Sequence, residues 1–414
     1  MKRIRYIILL VILPISLFAQ GGSIYTRYGI GDLVLLNSAR ELGLGSIGFA
    51  TANGSFLSSL NPAAWHKVPL TRFEIGMYYS GNNISDNSSS VMYSDFKFSG
   101  FTIGFPVQRD FGITVVAGLV PYSKVGYEIT HEISNPAVED AYEMTLSGKG
   151  GINKFFIGSS YTTPFDATIG LSFEYYTGKI EYTSQIDFPV GSYYRDAVYL
   201  NKQVYKGTGI NLGVISNDFS EFLGVNKIND LRIGINYNYV FNVKADTTLY
   251  SSTTIGTQSL ESGLMDVEIP SRLGVGLSFV WDENYLFLLD YISQPFSEYQ
   301  FGGGNFSYLA DYSRFSLGVE YKNHNVRRGT FWEQLTLRGG LSYEQSQYRL
   351  NNTDIDKMSL HAGISFPISA ESSIDVGFEY GVKGTTDNNL LKENIYKAFV
   401  TINFGELWFI RRER

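Results

Sequence analysis

The chain of 414 residues contains no cysteine. Disulfides, thiolate metal sites and cysteine nucleophiles are therefore excluded, as is a lipid anchor on a cysteine of this chain. No apolar run reaches the roughly 20 residues that a membrane-spanning helix needs. The nearest, residues 6–18, follows Lys2, Arg3 and Arg5 and leads into Ser16-Leu17-Phe18-Ala19. Basic start, apolar middle and small residues at the end predict a signal peptide over 1–19, with export and cleavage after Ala19. Basic residues are in deficit, 33 Lys and Arg against 40 Asp and Glu, for a net charge of -7. A nucleic-acid partner is not expected from such a balance. The four histidines, His66, His131, His324 and His361, are scattered without H-E-x-x-H spacing, and no G-x-S-x-G occurs. The chain is read as a non-enzyme, with no catalytic residues, no metal ligands and no cofactor expected.

What the chain has in excess is aromatic and glycine: 30 Tyr, 29 Phe and 43 Gly. It also has a rhythm. In the segment 270–281, Leu273, Val275, Leu277, Phe279 and Trp281 fall on one face of a strand, and Arg272, Gly274, Gly276 and Ser278 on the other. The pattern returns at Leu335, Leu337, Leu341 and Tyr343, and at Tyr396, Ala398, Val400, Ile402 and Phe404. One apolar and one polar face, repeated in segments of about ten, is how a β-barrel sits between lipid and water. Mean hydropathy is -0.06, too low for a helical membrane protein but compatible with strands that are half polar.

Strands are predicted at about 72–81, 94–106, 110–121, 150–163, 166–179, 203–216, 229–243, 268–281, 284–294, 311–322, 333–345, 357–368, 372–382 and 394–405. The fold class is all-β, a transmembrane antiparallel barrel of about fourteen strands over 71–405. Connections alternate: 82–93, 122–149, 180–202, 244–267 and 295–310 are long, whereas 107–109, 164–165, 282–283 and 369–371 are short. Outer-membrane barrels have short periplasmic turns and long outer loops, so this alternation orients the barrel. Two connections, 217–228 and 323–332, are assigned to the periplasmic side although long. Residues 20–70, rich in small residues, lack the rhythm and are expected to form a plug, or hatch, in the lumen. Residues 406–414 form a basic periplasmic tail.

Gly43, Gly45 and Gly48 match G-x-G-x-x-G, but the strand before, the helix after and the acidic residue downstream that a dinucleotide site needs are not apparent. Tight turns and close packing account better for these glycines. Their surroundings are more telling. Ala39-Arg40-Glu41-Leu42-Gly43-Leu44-Gly45, then Ala50-Thr51-Ala52, then Asn61-Pro62-Ala63 resembles the N-terminal hatch pattern of the FadL-type outer-membrane transport family. Residues 269–277, the Asp290-Tyr291 pair, 315–321 and 337–343 resemble that family's later hairpins. Leu44 departs from the family's frequent Met, and the chain continues past the last aromatic of its final strand. The resemblance implies a fourteen-stranded barrel, a hatch that includes Arg40, Gly43, Gly45, Gly48, Asn61, Pro62 and Ala63, and passage of a hydrophobic compound, fatty-acid-like or aromatic, through the outer membrane. It also implies an alternative, because some relatives act as protein shuttles of the type IX secretion system.

Charged residues on the polar strand faces would line the lumen: Arg272, Arg314, Glu320, Arg338, Glu344, Glu379 and Lys397. The plainer reading is an ion-pair network that anchors the plug. The sharper one is that Arg272, Arg314, Arg338 or Lys397 meets an anionic head group. Ser359 and His361 share a face and are the one pair with hydrolase character; Asp354 and Asp356 are the one pair with cation-binding character. The expected partners are outer-membrane lipid and a hydrophobic small molecule, captured by outer aromatics such as Tyr193, Tyr194 and Tyr199, or else secretion-system proteins.

Overall fold

The computed structural model describes residues 22–134, 140–225, 227–323, 330–369 and 371–406. The signal segment, most of the basic tail and His324 lie outside the described residues. In chain order the strands are β1 (Asp32–Leu33), β2 (Thr71–Ser85), β3 (Ser90–Gln108), β4 (Ile113–Ile133), β5 (Tyr142–Thr162), β6 (Thr168–Asp187), β7 (Ala197–Ile215), β8 (Ile228–Thr253), β9 (Gly256–Glu268), β10 (Arg272–Trp281), β11 (Tyr285–Gln294), β12 (Gln300–Phe301), β13 (Gly304–Asn305), β14 (Tyr312–Lys322), β15 (Thr336–Leu350), β16 (Thr353–Pro367), β17 (Ser373–Lys383) and β18 (Lys392–Glu406). β2 to β8, β10, β11 and β14 to β18 form a closed antiparallel barrel of 14 strands; β18 pairs back on β2 from Glu406↔Thr71 to Lys392↔Ser85. Closure leaves no open edge at membrane depth, which lipid would not tolerate.

The rhythm read in the sequence is the barrel's two-faced wall. Leu273, Val275, Leu317, Leu341, Leu360, Phe378 and Val400 are exposed on its outer face, while Arg272, Ser278, Asp290, Arg314, Glu320, Ser342, Glu379 and Asn403 are buried on the inner one. Aromatic pairs such as Tyr380–Tyr396, with ring centroids 5.3 Å apart, and Tyr285–Tyr321 at 5.1 Å join neighbouring strands on the outside.

Several stretches expected as outer loops are strand. β4 and β5 each run 21 residues, β6 20, β7 19 and β8 26, whereas β10 and β11 have 10 and β14 and β17 11. A membrane strand needs only about 9–11 residues. One side of the barrel therefore rises well above the bilayer as a tall wall. Its upper part is polar on the outside, so the apolar alternation fades although the hydrogen-bond ladder continues. The strand expected at 268–281 is likewise interrupted: β9 and β10 follow the same neighbour, β8, with a break at 269–271 opposite 239–242.

Residues 22–70 run inside the barrel. The short helix Ala39–Gly43 and the 3-10 turn Pro62–Lys67 are their main regular elements. Ser38 caps the first, accepting from the Glu41 N–H at 3.2 Å, and Asn61 caps the second, accepting from the Ala63 N–H at 3.0 Å.

Candidate functional site

Seating of the N-terminal segment depends on bare positions in the wall. A Cβ placed on Gly377 would lie 2.5 Å from the Ala39 carbonyl oxygen, and one on Gly363 3.1 Å from Gly43 Cα. Gly340 would clash with the Gly45 nitrogen, Gly318 with the Leu44 carbonyl and Gly274 with the Phe49 ring. Residues 39–49 thus sweep across six neighbouring strands, from β17 to β10, in close contact with the wall. Asn61-Pro62-Ala63 does the same against Gly213 and Gly170, and Asn61 also donates to the Phe49 carbonyl at 2.6 Å. Asp290 receives the N–H groups of Gly48 and Phe49 at 2.7 and 3.0 Å. The residues singled out by resemblance are therefore brought together, against wall glycines to which the sequence analysis assigned no packing role.

Helix Ala39–Gly43 lies between two cavities. The lower, about 460 Å³, is bounded by the lower ends of β14 to β17 and lined by Arg40, Phe56, Arg72, Glu320 and Arg338. The upper, about 120 Å³, is lined by Leu35, Leu36, Leu42, Ser46, Tyr78, Lys124, Arg314, Lys357, Lys383, Lys397 and Phe399, among others. The helix presents Arg40 to one and Leu42 to the other. Beneath it, Arg40 Nε meets Glu320 Oε2 at 3.1 Å, Arg338 Nε meets the same oxygen at 2.7 Å, and Arg338 reaches Asp375 at 3.6 Å. The Arg40 guanidinium also stacks 4.1 Å from the Phe56 ring.

The charges of the upper cavity are paired across strands. Lys357 and Lys397 share Glu379 at 2.5 and 3.2 Å, Arg314 lies 3.7 Å from Glu344, and Lys383 lies 2.8 Å from Asp32. Two cations on one carboxylate leave this side of the cavity electropositive, opposite the aliphatic side chains of residues 33–36. Glu41, buried on the helix, is pushed up to about 7 by desolvation, and its Oε2 has no hydrogen-bond partner.

The wall parts beside the upper cavity. β3 and β4 pair from Gln108↔Ile113 up to Phe101↔Leu119 and no further; above that, β3 pairs only with β2, and β4 with β5. The cause is local. Pro121 lacks the N–H that the ladder would use and sits at a bulge against β5, and Gly100 has φ +132°. Segment 32–34 takes over the vacated edge: Asp32 and Leu33 pair with Lys124 and Ser123, and Val34 N–H donates to the Tyr122 carbonyl at 2.9 Å. Side chains bridge the parting, with Lys124 3.4 Å from Asp95 and the Tyr93 hydroxyl 3.3 Å from the Glu128 carbonyl.

Towards the outside, residues 295–311 fold over the lumen. Phe296, Tyr299, Phe301, Phe306 and Tyr308 join Tyr25, Tyr28, Tyr182, Tyr205 and Tyr348 in one apolar cluster. Tyr28 and Tyr308 close it, with ring centroids 4.7 Å apart, and the Tyr182 hydroxyl donates to the Gly29 carbonyl at 3.0 Å. Burial pushes the Tyr25 hydroxyl up to about 12. Sequence reasoning missed this seal; its signal was the aromatic density of 296–308.

Of the four predicted head-group cations, Arg314 and Lys397 line the upper cavity, Arg338 is committed to Glu320 and Asp375, and Arg272 lies apart from both cavities, buried, with an unpartnered Nε. Ser359 and His361 have separate partners: Ser359 donates to Glu379 at 3.1 Å, and His361 Nε2 lies 2.9 Å from Ser342 Oγ. His66 is turned to the Ala63 carbonyl at 2.9 Å, and burial pulls it down to about 4. Asp354 pairs with Arg349 at 2.6 Å and Asp356 accepts from Tyr343 at 2.7 Å; no group of three metal-ligating side chains occurs among the described residues. Tyr193 and Tyr194 are exposed in the connection between β6 and β7, and Tyr199, expected in an outer loop, is exposed on β7 itself.

No curated protein sequence matches the chain. Among solved structures it is similar to the Ralstonia pickettii toluene transporter TbuX (TM-score 0.61, 16% identity, covering 89% of this chain and 98% of that one). It is also similar to the CymD monoaromatic hydrocarbon channel (0.60, 16%, 91% and 99%) and to a Pseudomonas aeruginosa FadL homologue (0.60, 11%, 89% and 99%). At these identities the likeness is one of fold, that of a FadL-type barrel. The family model BamG matches residues 1–413, and the chain belongs to the BamG family.

Proposed function

We propose that the barrel admits a small hydrophobic compound through the outer membrane, with residues 22–70 as a movable hatch. The observation that carries this reading is the thinness of the partition: one helix, Ala39–Gly43, separates the upper from the lower cavity. The upper cavity, at about 120 Å³, is close to the roughly 150 Å³ that holds a benzene in an engineered protein core. Its aliphatic side suits an apolar body, and Arg314, Lys357 and Lys397 suit an acidic head. The aromatic cluster over the lumen would receive the compound from outside. From the cavity two exits lie near, down past Arg40 when the helix shifts, or sideways where β3 leaves β4. The solved relatives named for toluene and monoaromatic hydrocarbons support the aromatic end of this range.

The test uses the cysteine-free background. Asp95→Cys and Lys124→Cys are joined by a short reducible bis-maleimide linker across the parting. Uptake of labelled toluene and labelled oleate into cells carrying the barrel is followed with the linker intact and cleaved. Uptake above barrel-free cells supports the reading, and its loss under the linker places the exit sideways. Equal uptake with and without the barrel, for both compounds, sinks it. A second reading, a closed barrel that serves as a partner in protein secretion or surface attachment, is favoured by the tall outer wall of β4 to β9, which a conduit does not need.

A further inference from the structure

The tall wall ends in an unfinished edge. β9 pairs with β8 from Val243↔Val267 to Thr253↔Gly256, with one bulge, at Leu260. Its other edge meets β12 only at Val267 and Glu268, and the Gly302 N–H reaches the Asp266 carbonyl at 2.8 Å. From Gly256 to Met265 that edge has no strand partner among the described residues. Ten residues at about 3.3 Å each present some 33 Å of free backbone donors and acceptors.

Such edges are normally blunted by Lys, Pro or an inward charge. The sequence GTQSLESGLMDVE of β9 holds no Lys, Arg or Pro. It does hold Glu261 within the free stretch, with Asp266 and Glu268 just beyond its end, so the edge and its end carry three negative charges and no positive one. Lys244, the one cation opposite, is 4.0 Å from Asp266 with both side chains mostly in solvent. Leu260 and Leu264 are exposed in the same strip, as is Ile255 at the hairpin tip. These residues are not in lipid. The apolar outer run on β8 is Ile233, Ile235, Tyr237 and Tyr239, and β9 pairs with β8 only beyond it, from Val243 upward.

We propose that the free edge of β9 is a docking site for an extended segment of another protein, added as a further strand, with basic residues alternating with apolar ones. Main-chain hydrogen bonds would hold the segment, Leu260 and Leu264 would take its apolar residues, and the acidic strip would select its Lys or Arg. A second copy of this chain is the wrong occupant, since pairing two such edges brings like charges together. The proposal is independent of whether the lumen conducts.

The experiment uses the full chain in detergent micelles and a fluorescent ten-residue peptide of alternating Val and Lys. The controls are the same peptide with Glu for Lys, and one N-methylated at alternate residues so that it cannot complete a ladder. Binding is read by anisotropy, and hydrogen exchange is followed over 256–268. The expected result is saturable binding of the basic peptide only, with amide exchange at 256–265 slowed at least tenfold. The double variant Leu260→Lys, Glu261→Lys should weaken binding at least tenfold while heat-modifiable migration of the barrel is unchanged. Equal binding of the N-methylated or acidic peptide overturns the proposal. So does unchanged exchange at 256–265, or protection that rises with protein concentration without peptide, which would assign the edge to a second copy.

Discussion

Arg40 on the lumenal helix and Glu320 on the wall meet at 3.1 Å, both almost fully buried, with Arg338 on the same carboxylate oxygen at 2.7 Å. A carboxylate shared by two guanidiniums ties the N-terminal segment to the barrel. Breaking a buried pair from one side leaves charge uncompensated, at a cost of about 3–5 kcal/mol. Glu320→Gln is therefore expected to loosen the segment by about that amount. Limited proteolysis in detergent checks it: residues 22–70 should become cleavable while the barrel core survives. A variant as resistant as the parent would mean that the other ties, the wall glycines, Asp290 and the Lys383–Asp32 pair among them, are enough to hold the segment.

Gly340 lies against the Gly45 nitrogen, where a Cβ has no room. Gly340→Ala forces backbone from backbone, and overpacking of this kind costs about 1–3 kcal/mol. The variant is expected to show the same exposure of 22–70 while retaining heat-modifiable migration. Gly339, its neighbour on the outer face, meets nothing within 4 Å and serves as the control: Gly339→Ala should be silent.

These two cases mark how far the sequence could be read. The barrel and its strand number were legible because lipid on one side and water on the other impose a period of two. The motif residues Arg40, Gly43, Gly45 and Asn61 were legible as a group by resemblance. Their partners were not. Glu320 lies directly across from Arg338, and Glu379 from Lys397, only once the register between strands is known. The heights of β4 to β9 were hidden for a related reason: above the bilayer the outer face turns polar and the rhythm stops, although the ladder does not. The parting of β3 and β4 rests on Pro121, which reads in sequence as a strand end.

Glu41 makes the seating pH-dependent. Burial raises its carboxyl to about 7 in the folded chain, against an ordinary value of 4.5. A raised folded-state value means that the folded form holds the proton longer. Its contribution is complete below about 4.5, falls as pH rises towards 7, and is lost above that. Desolvation dominates; the hydroxyls of Ser58 and Ser38, the neighbouring Arg40 guanidinium and the backbone at Asn37 all favour the ionised form but do not outweigh it, and Glu74 of β2 receives the neighbouring Leu57 N–H. Hydrogen exchange at 38–48 is expected to be slower at pH 5 than at pH 8. Glu41→Gln should remove most of that difference by slowing exchange at pH 8. An unchanged pH profile in the variant would assign the effect to another group.

Leu42 gives direct access to the closed state of the lumen. It is buried, it lines the upper cavity, and a cysteine in its place would be the only thiol in the chain. The seal above it is the contact of Tyr28 with Tyr308 at 4.7 Å and the aromatic cluster around it. Truncating Tyr308 removes a ring that keeps that cluster continuous, whereas the partition below, Arg40 with Glu320, is left intact. Leu42→Cys should therefore react slowly with a membrane-impermeant maleimide added to whole cells, and at least tenfold faster once Tyr308→Ala is added. Glu320→Gln in place of Tyr308→Ala should not produce that gain from outside, but should produce it when the reagent is supplied to the periplasmic side of barrels reconstituted in one orientation. The two variants acting from opposite sides would separate an outer lid from an inner hatch. If both act equally from either side, the helix, lid and cavity move as one body, and the partition between the cavities is not a gate of its own.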